Sequence, residues 1–401
     1  MKNRVIGTLL TVAMAAGMLA GCGGSSASSS AASSAAASSA AASSAAASSA
    51  AEETEAASSA AASSAAEEEV AASSAAAAPA TGDLDASGLT IAIVTKSAGN
   101  PYNEREASGF QEVVEALGGT CVVQNPEAAT ADAQISVINS LISQNVNAIA
   151  VAANDANALS AVLQQAADAG IKVLTLDSDV AADSRTVFCN QAGVQEVGQA
   201  LIDAVYDITG GEGEYAILSA TSQATNQNAW IDAMKQIAES DDKYSKLVLD
   251  EVAYGDDEPQ KSTDQTQALL QKYPNLKVIC SPTTVGIAAA AKVLQDQGSA
   301  VKLTGLGLPS EMKEYIGDDD AHSCPYMFLW NPIDLGKLAG YTAVALATDK
   351  ITGAEGETFE AGDMENSPYT ITTNGDGATE IILGPPFKFD PSNIEEWAEV
   401  Y

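Results

Sequence analysis

Between residues 89 and 303, short runs of β-branched and apolar residues alternate with stretches whose apolar residues recur every three or four positions. That alternation leaves few folds open. The runs at 89–95, 121–124, 148–152, 173–176 and 186–189 are too short for helices and continuously apolar, which predicts strands buried on both faces. Between them, stripes at Ala107, Phe110, Val114 and Leu117, at Ile135, Ile138 and Ile142, and at Leu159, Val162 and Ala166 predict helices. Gly118-Gly119 and Gly170 stop the first and third. Strands and helices in such a series build a parallel sheet covered by helices on both faces. The series resumes with strands at 215–218, 246–249, 276–279 and 301–303. The expected class is α/β, with two doubly wound parallel-sheet lobes.

The front of the chain is of another kind. Lys2 and Arg4 precede an apolar run over 5–20 that ends Leu19-Ala20-Gly21-Cys22. The run is short for a bilayer span and ends in small residues, which predicts a removed lipoprotein export signal at 1–21 and a lipid-bearing Cys22. Residues 22–87 repeat serine and alanine, interrupted by Glu52, Glu53, Glu55 and the acidic run 67–69, with no apolar stripe to dock them. They are expected to form a disordered tether, roughly 40 Å across on average. The protein is therefore expected outside the cytoplasm, lipid-anchored to the cell membrane.

Charge narrows the partners. The chain carries −35, and beyond position 82 there are 16 basic against 47 acidic residues, a net −31. Such a surface repels phosphate backbones, which argues against nucleic acid and favours a neutral ligand. Cys121, Cys189, Cys280 and Cys324 are widely spaced in apolar runs and read as core thiols. With one histidine, His322, expected in an exposed loop, and no C-x-x-C, neither metal nor cofactor is expected.

In open α/β sheets ligands bind beyond the carboxyl ends of the strands. In the first lobe those ends carry Lys96, Gly99-Asn100-Pro101-Tyr102-Asn103, Asn154-Asp155 and Asp177-Ser178-Asp179. In the second they carry residues 221–228 with Asn226 and Gln227, then Ser281-Pro282-Thr283-Thr284 and 305–309. Carboxylates and amides engage neighbouring hydroxyls of a polyol, a lysine adds a strong donor, and Tyr102 or Trp330 can cover an apolar sugar face. Plainer roles are open for each. Asp177 and Asp179 can cap the turn after a strand, Asn226 can cap the helix carrying Trp230 and Met234, Trp330 can be a core aromatic, and Pro282 and Thr284 can shape a helix entrance. Asp177-Ser178-Asp179 also fits the metal-binding Asp-x-Asp of sugar-nucleotide transferases, an alternative enzymatic reading. Gly211-Glu212-Gly213 precedes a strand, so it lacks the strand-to-helix context of a dinucleotide site, and no G-x-S-x-G elbow occurs.

The order Lys96 to Tyr102, Thr175-Leu176-Asp177, Asn190-Gln191, Asn226-Gln227-Asn228-Ala229-Trp230, Tyr254-Gly255-Asp256-Asp257, Pro282 to Gly286, Thr304 to Gly307, Leu329-Trp330-Asn331-Pro332 and Leu383 to Pro386 resembles the solute-binding proteins of rhamnose-type ABC importers. It is also similar to their relatives that bind autoinducer-2. The resemblance covers residues 88–390. It implies the type I periplasmic-binding fold, with lobes at 88–190 plus 324–353 and at 191–323 plus 354–401, joined by a three-segment hinge near Asn190, near Cys324 and at 354–361. It implies no catalysis: a ligand held by Lys96, Tyr102, Asn103, Asp177, Asp179, Asn226, Gln227, Pro282, Thr284 and Trp330 is trapped by hinge closure in a monomer and passed to an ABC permease with its ATPase. The autoinducer-2 branch has an aspartate where this chain has Asn226 and an alanine where it has Thr284. Both departures favour a rhamnose-like sugar over the signalling furanose, which stays as the alternative.

Overall fold

A computed structural model describes residues 84–375 and 377–401. The expected signal segment, Cys22 and nearly all of the tether lie outside the described residues. The first lobe opens with β1 (Thr90–Val94), α1 (Pro101–Ala116), β2 (Thr120–Gln124), α2 (Ala131–Ser143), β3 (Ala148–Val151), α3 (Ser160–Asp168), β4 (Lys172–Leu176) and β5 (Phe188–Asn190). The second holds α4 (Val194–Thr209), β6 (Gly213–Ser219), α5 (Thr225–Ser240), β7 (Leu247–Tyr254), α6 (Pro259–Lys272), β8 (Leu276–Ser281), α7 (Thr284–Asp296), β9 (Lys302–Gly305) and α8 (Pro309–Met312). The chain then runs through β10 (Met327–Leu329), α9 (Pro332–Ala347), β11 (Thr358–Phe359), β12 (Tyr369–Thr370), β13 (Thr372–Thr373), β14 (Thr379–Ile382), β15 (Phe387–Phe389) and α10 (Ile394–Trp397).

The two large sheets have the orders β13-β14-β5-β4-β3-β1-β2 and β7-β6-β8-β9, parallel throughout except where β13 meets β14, and two antiparallel pairs, β10-β15 and β11-β12, stand beside them. In each, the order reverses beside the lobe's first strand, between β1 and β3 and between β6 and β8, which opens a crevice at the carboxyl ends. β1, β3, β4, β6 and β8 are buried almost along their length, as continuous apolar runs require of strands covered on both faces. The expected α/β class is thus the observed one.

The division between lobes differs from the expectation at two places. Residues 354–401 were expected in the second lobe, yet β13 and β14 join the first sheet, with Ile381 beside Cys189 and Ile382 beside Asn190. Without β14 the short strand β5 would be an open edge with unpaired backbone groups, and the returning segment covers it. The third crossing therefore falls between β14 and β15, around Gly384-Pro385-Pro386, instead of at 354–361. The second crossing follows β10 and not Cys324: Cys324 still bridges Ile316 in the second lobe, and the chain changes lobes near Trp330 before α9 packs on α1 and on β3, β4 and β5.

Helices α1 and α9 approach closely because glycines face the contact. A Cβ on Gly109 would sit 2.0 Å from the Ile333 carbonyl oxygen, and one on Gly336 would sit 1.9 Å from that of Glu106. Gly336→Ala must push the helices apart, at a cost of about 1–3 kcal/mol. Thermal unfolding should show a melting temperature lower by about 2 °C or more.

Candidate functional site

The loop after β1 is held from below. Asn154 Nδ2 donates to the Lys96 carbonyl at 2.9 Å and Asn103 Nδ2 to the Ser97 carbonyl at 2.9 Å. Asn100 then caps α1 by accepting from the Tyr102 N–H, Pro101 takes the first helical position, and Tyr102 is fixed at the cleft wall. After β4 the chain turns through Asp177 at φ 58°, a left-handed conformation unusual for a side-chain-bearing residue, and Ser178 Oγ anchors the turn on the Ala153 carbonyl at 2.6 Å.

From these turns and from the start of α5 comes a buried polar cluster that spans the lobes. Lys96 Nζ lies 3.1 Å from Asp177 Oδ2 and donates to Asn226 Oδ1 at 3.0 Å. Asn226 Nδ2 reaches both Asp177 carboxylate oxygens at 3.3 Å. Asp177 Oδ1 also accepts from the Tyr102 hydroxyl at 3.2 Å, which accepts in turn from Trp330 Nε1 at 2.6 Å. The Trp330 ring lies 5.6 Å from that of Trp230, completing an apolar floor. With Pro282 and Thr284 at the start of α7, these groups line a cleft drawn together by the cross-lobe hydrogen bonds to an enclosed free volume of about 30 Å³.

Nine of the ten residues expected at the site line this cleft. Asp177 bonds across the cleft and not within its turn, while Asn226, second in α5, does both: its Oδ1 accepts from the Gln227 N–H in the first turn at 3.0 Å and its amide faces the cleft. Asp179 is the exception. Its carboxylate accepts from Arg185 at 2.6 and 2.9 Å, from Thr175 Oγ1 at 2.6 Å and from the Val180 N–H at 2.9 Å, so it braces the β4 turn, and it lines not this cleft but the adjoining opening, with Asp177, Asn226 and Trp230.

Sequence reasoning missed Trp230, Asp257 and Glu106. Asp257 lies at the carboxyl end of β7, where the strand-end rule would have found it, and accepts from Thr283 Oγ1. Burial raises its carboxyl from the ordinary range, while Lys96 and then the Thr283 hydroxyl pull it back. Glu106, one helical turn beyond Tyr102, has no accessible surface, and neither oxygen has a hydrogen-bond partner among the described residues. Burial, and then the Asp177 carboxylate, push its carboxyl well above the usual range against the pull of Lys96. No short sequence pattern marks such a residue. Gln227 Oε1 is likewise buried and unpaired, on the cleft wall.

Removing one partner of a buried pair strands the other charge. Asp179→Ala should cost about 3–5 kcal/mol in denaturant unfolding while the folded protein keeps its ligand affinity. Glu106 predicts a pH signature. Its folded carboxyl keeps a proton that the unfolded chain releases near about pH 4.3, so stability falls as pH rises above that value. Urea unfolding from about pH 5 to about pH 8 should show a shallower decline in Glu106→Gln than in the wild type.

A periplasmic binding protein domain matches residues 91–351. An ABC transporter solute-binding protein from Clostridium phytofermentas, solved with bound L-rhamnose, is 60% identical, with a TM-score of 0.78 covering 79% of this chain and 100% of its own. LsrB from Clostridium saccharobutylicum in complex with AI-2 shares the fold at 23% identity, with a TM-score of 0.70 covering 77% of this chain and 99% of its own. A D-apiose import binding protein from Actinobacillus succinogenes is 26% identical over 206 residues, 50% of this chain and 64% of that protein's length. Two lobes of matching topology, a polar cleft between them and these similarities lead to one conclusion: the chain belongs to the periplasmic binding protein family, as a solute-binding protein of the ABC-transporter type.

Proposed function

We propose that this protein captures a rhamnose-like monosaccharide between its lobes and releases it unchanged to an ABC permease driven by its ATPase. It works outside the cytoplasm as a monomer, anchored through lipid on Cys22, and catalyses no reaction. The observation that carries the ligand class is Gln227 Oε1, a buried acceptor without a partner among the described residues, in a cleft otherwise furnished with paired polar groups and two tryptophans. Such an acceptor favours a ligand hydroxyl, since leaving it unmet costs about 1–3 kcal/mol. The relative solved with L-rhamnose adds support at 60% identity.

Closure follows from where the partners sit. Lys96, Tyr102 and Asp177 belong to the first lobe, Asn226, Gln227 and Thr284 to the second, so a ligand touching both favours the arrangement in which both reach it. Asn226 and Thr284 stand where autoinducer-2 receptors have a carboxylate and a smaller side chain, which favours the sugar.

Titration calorimetry with L-rhamnose and with autoinducer-2 tests this. L-rhamnose should give heat and a raised melting temperature, and their absence would overturn the proposal. Asp177→Asn keeps the left-handed turn, which asparagine tolerates, and removes the charge. It should weaken sugar binding by about 30-fold or more, as loss of a charged hydrogen bond of about 2 kcal/mol implies.

A further inference from the structure

Outside the cleft, one side chain of α1 reaches the other lobe. Arg105 Nη2 donates to Ser310 Oγ, at the start of α8, at 3.0 Å, and Arg105 Nη1 donates to the Pro101 carbonyl at 3.2 Å. Pro101 opens α1 and is followed by Tyr102, so the guanidinium joins the first turn that presents Tyr102 to the cleft. The far side is itself fastened: the Ser310 N–H donates to the Tyr401 carbonyl at 3.1 Å. The neighbouring Glu311 carboxyl is raised by burial and drawn partly back by Arg105. Neither Arg105 nor Ser310 lines the ligand cleft.

We propose that Arg105 is a positioning residue for ligand capture, a latch that closes on Ser310 when the lobes meet and prolongs the closed state without touching the ligand. The inference rests on the closure reading above. A planar guanidinium with several fixed donors suits the task, because it holds its own helix and the opposite lobe at once. The contact can form only after the lobes approach, so its loss falls on release and spares encounter.

Stopped-flow binding of L-rhamnose to the full chain tests it. Arg105→Ala and Ser310→Ala should each raise the dissociation rate about three- to tenfold, the loss expected of one ordinary hydrogen bond that is only part-buried, with association rates unchanged. The double variant should be no worse than either single one. Arg105→Lys should recover part of the loss. Slowed association with unchanged release, or additive losses in the double variant, would each overturn the latch. A second readout does not depend on the sugar. Spin labels at Glu115→Cys and Asp296→Cys, both on exposed helix faces in opposite lobes, report the lobe separation. Arg105→Ala should shift that distribution to longer distances without ligand, and an unshifted distribution would overturn the latch. Failure of L-rhamnose to bind the wild type would instead sink the sugar assignment, leaving the separation to decide the latch.

Discussion

Burying a lysine and an aspartate beside an asparagine of the opposite lobe is the constraint around which the rest of the molecule is arranged. Lys96 and Asp177 have side chains only 8% and 6% exposed. Removing two charges from water costs several kcal/mol each unless geometry and further hydrogen bonds offset it. The structure supplies that offset through Asn226, Tyr102 and Trp330, and each of these comes from a different element. The turns that present them must therefore be rigid. Asp177 in a left-handed conformation, Asn100 as a cap and Asn154 under the Lys96 carbonyl are the local means by which rigidity is achieved.

The same cluster explains why the fold is in two lobes and not one. Each sheet reverses order beside its first strand, so each lobe has a crevice at its carboxyl edge, and neither crevice is complete alone. The first lobe contributes the Lys96–Asp177 pair and the Tyr102 phenol, the second Asn226, Gln227, Thr284 and the Asp257 carboxyl. Hydrogen-bond satisfaction across the gap thus depends on lobe separation, which makes the hinge a functional part of the site. The C-terminal segment serves the same end: by returning to cover β5 it sends a third strand of chain through the hinge, and the aromatic rings of Phe387, Phe389, Trp397 and Tyr401 pack its far side.

Much of this was legible in the sequence, for physical reasons. Continuous apolar runs such as Ala148–Val151 suit only strands buried on both faces, so the sheets and their carboxyl-end loops were readable, and with them most of the cleft. What was not legible depends on pairings that sequence spacing does not show. Asp177 and Asp179 look alike in the chain. Arg185, six residues beyond Asp179 and buried, claims one carboxylate for the turn and leaves the other to the cleft. Residues 354–401 have short apolar runs that fit either lobe, and only the need to cover β5 assigns Thr379–Ile382 to the first. Glu106 was invisible because a glutamate on a helix ordinarily faces solvent, and its burial follows from the glycine-mediated closeness of α1 and α9.

The chemistry of the cleft then limits what it can hold. Its lysine is already paired, its neighbouring carboxyls at Glu106 and Asp257 are driven toward the neutral form by burial, and its floor is aromatic. A charged ligand would have to displace an internal pair and leave one member buried without a partner, at a cost of several kcal/mol. A hydroxyl both donates and accepts, so it can enter between Lys96, Asp177 and Gln227 while each keeps a partner. The paired charges in this cleft therefore select for neutrality as much as for shape, and the acidic exterior, which repels anions before they arrive, acts in the same direction.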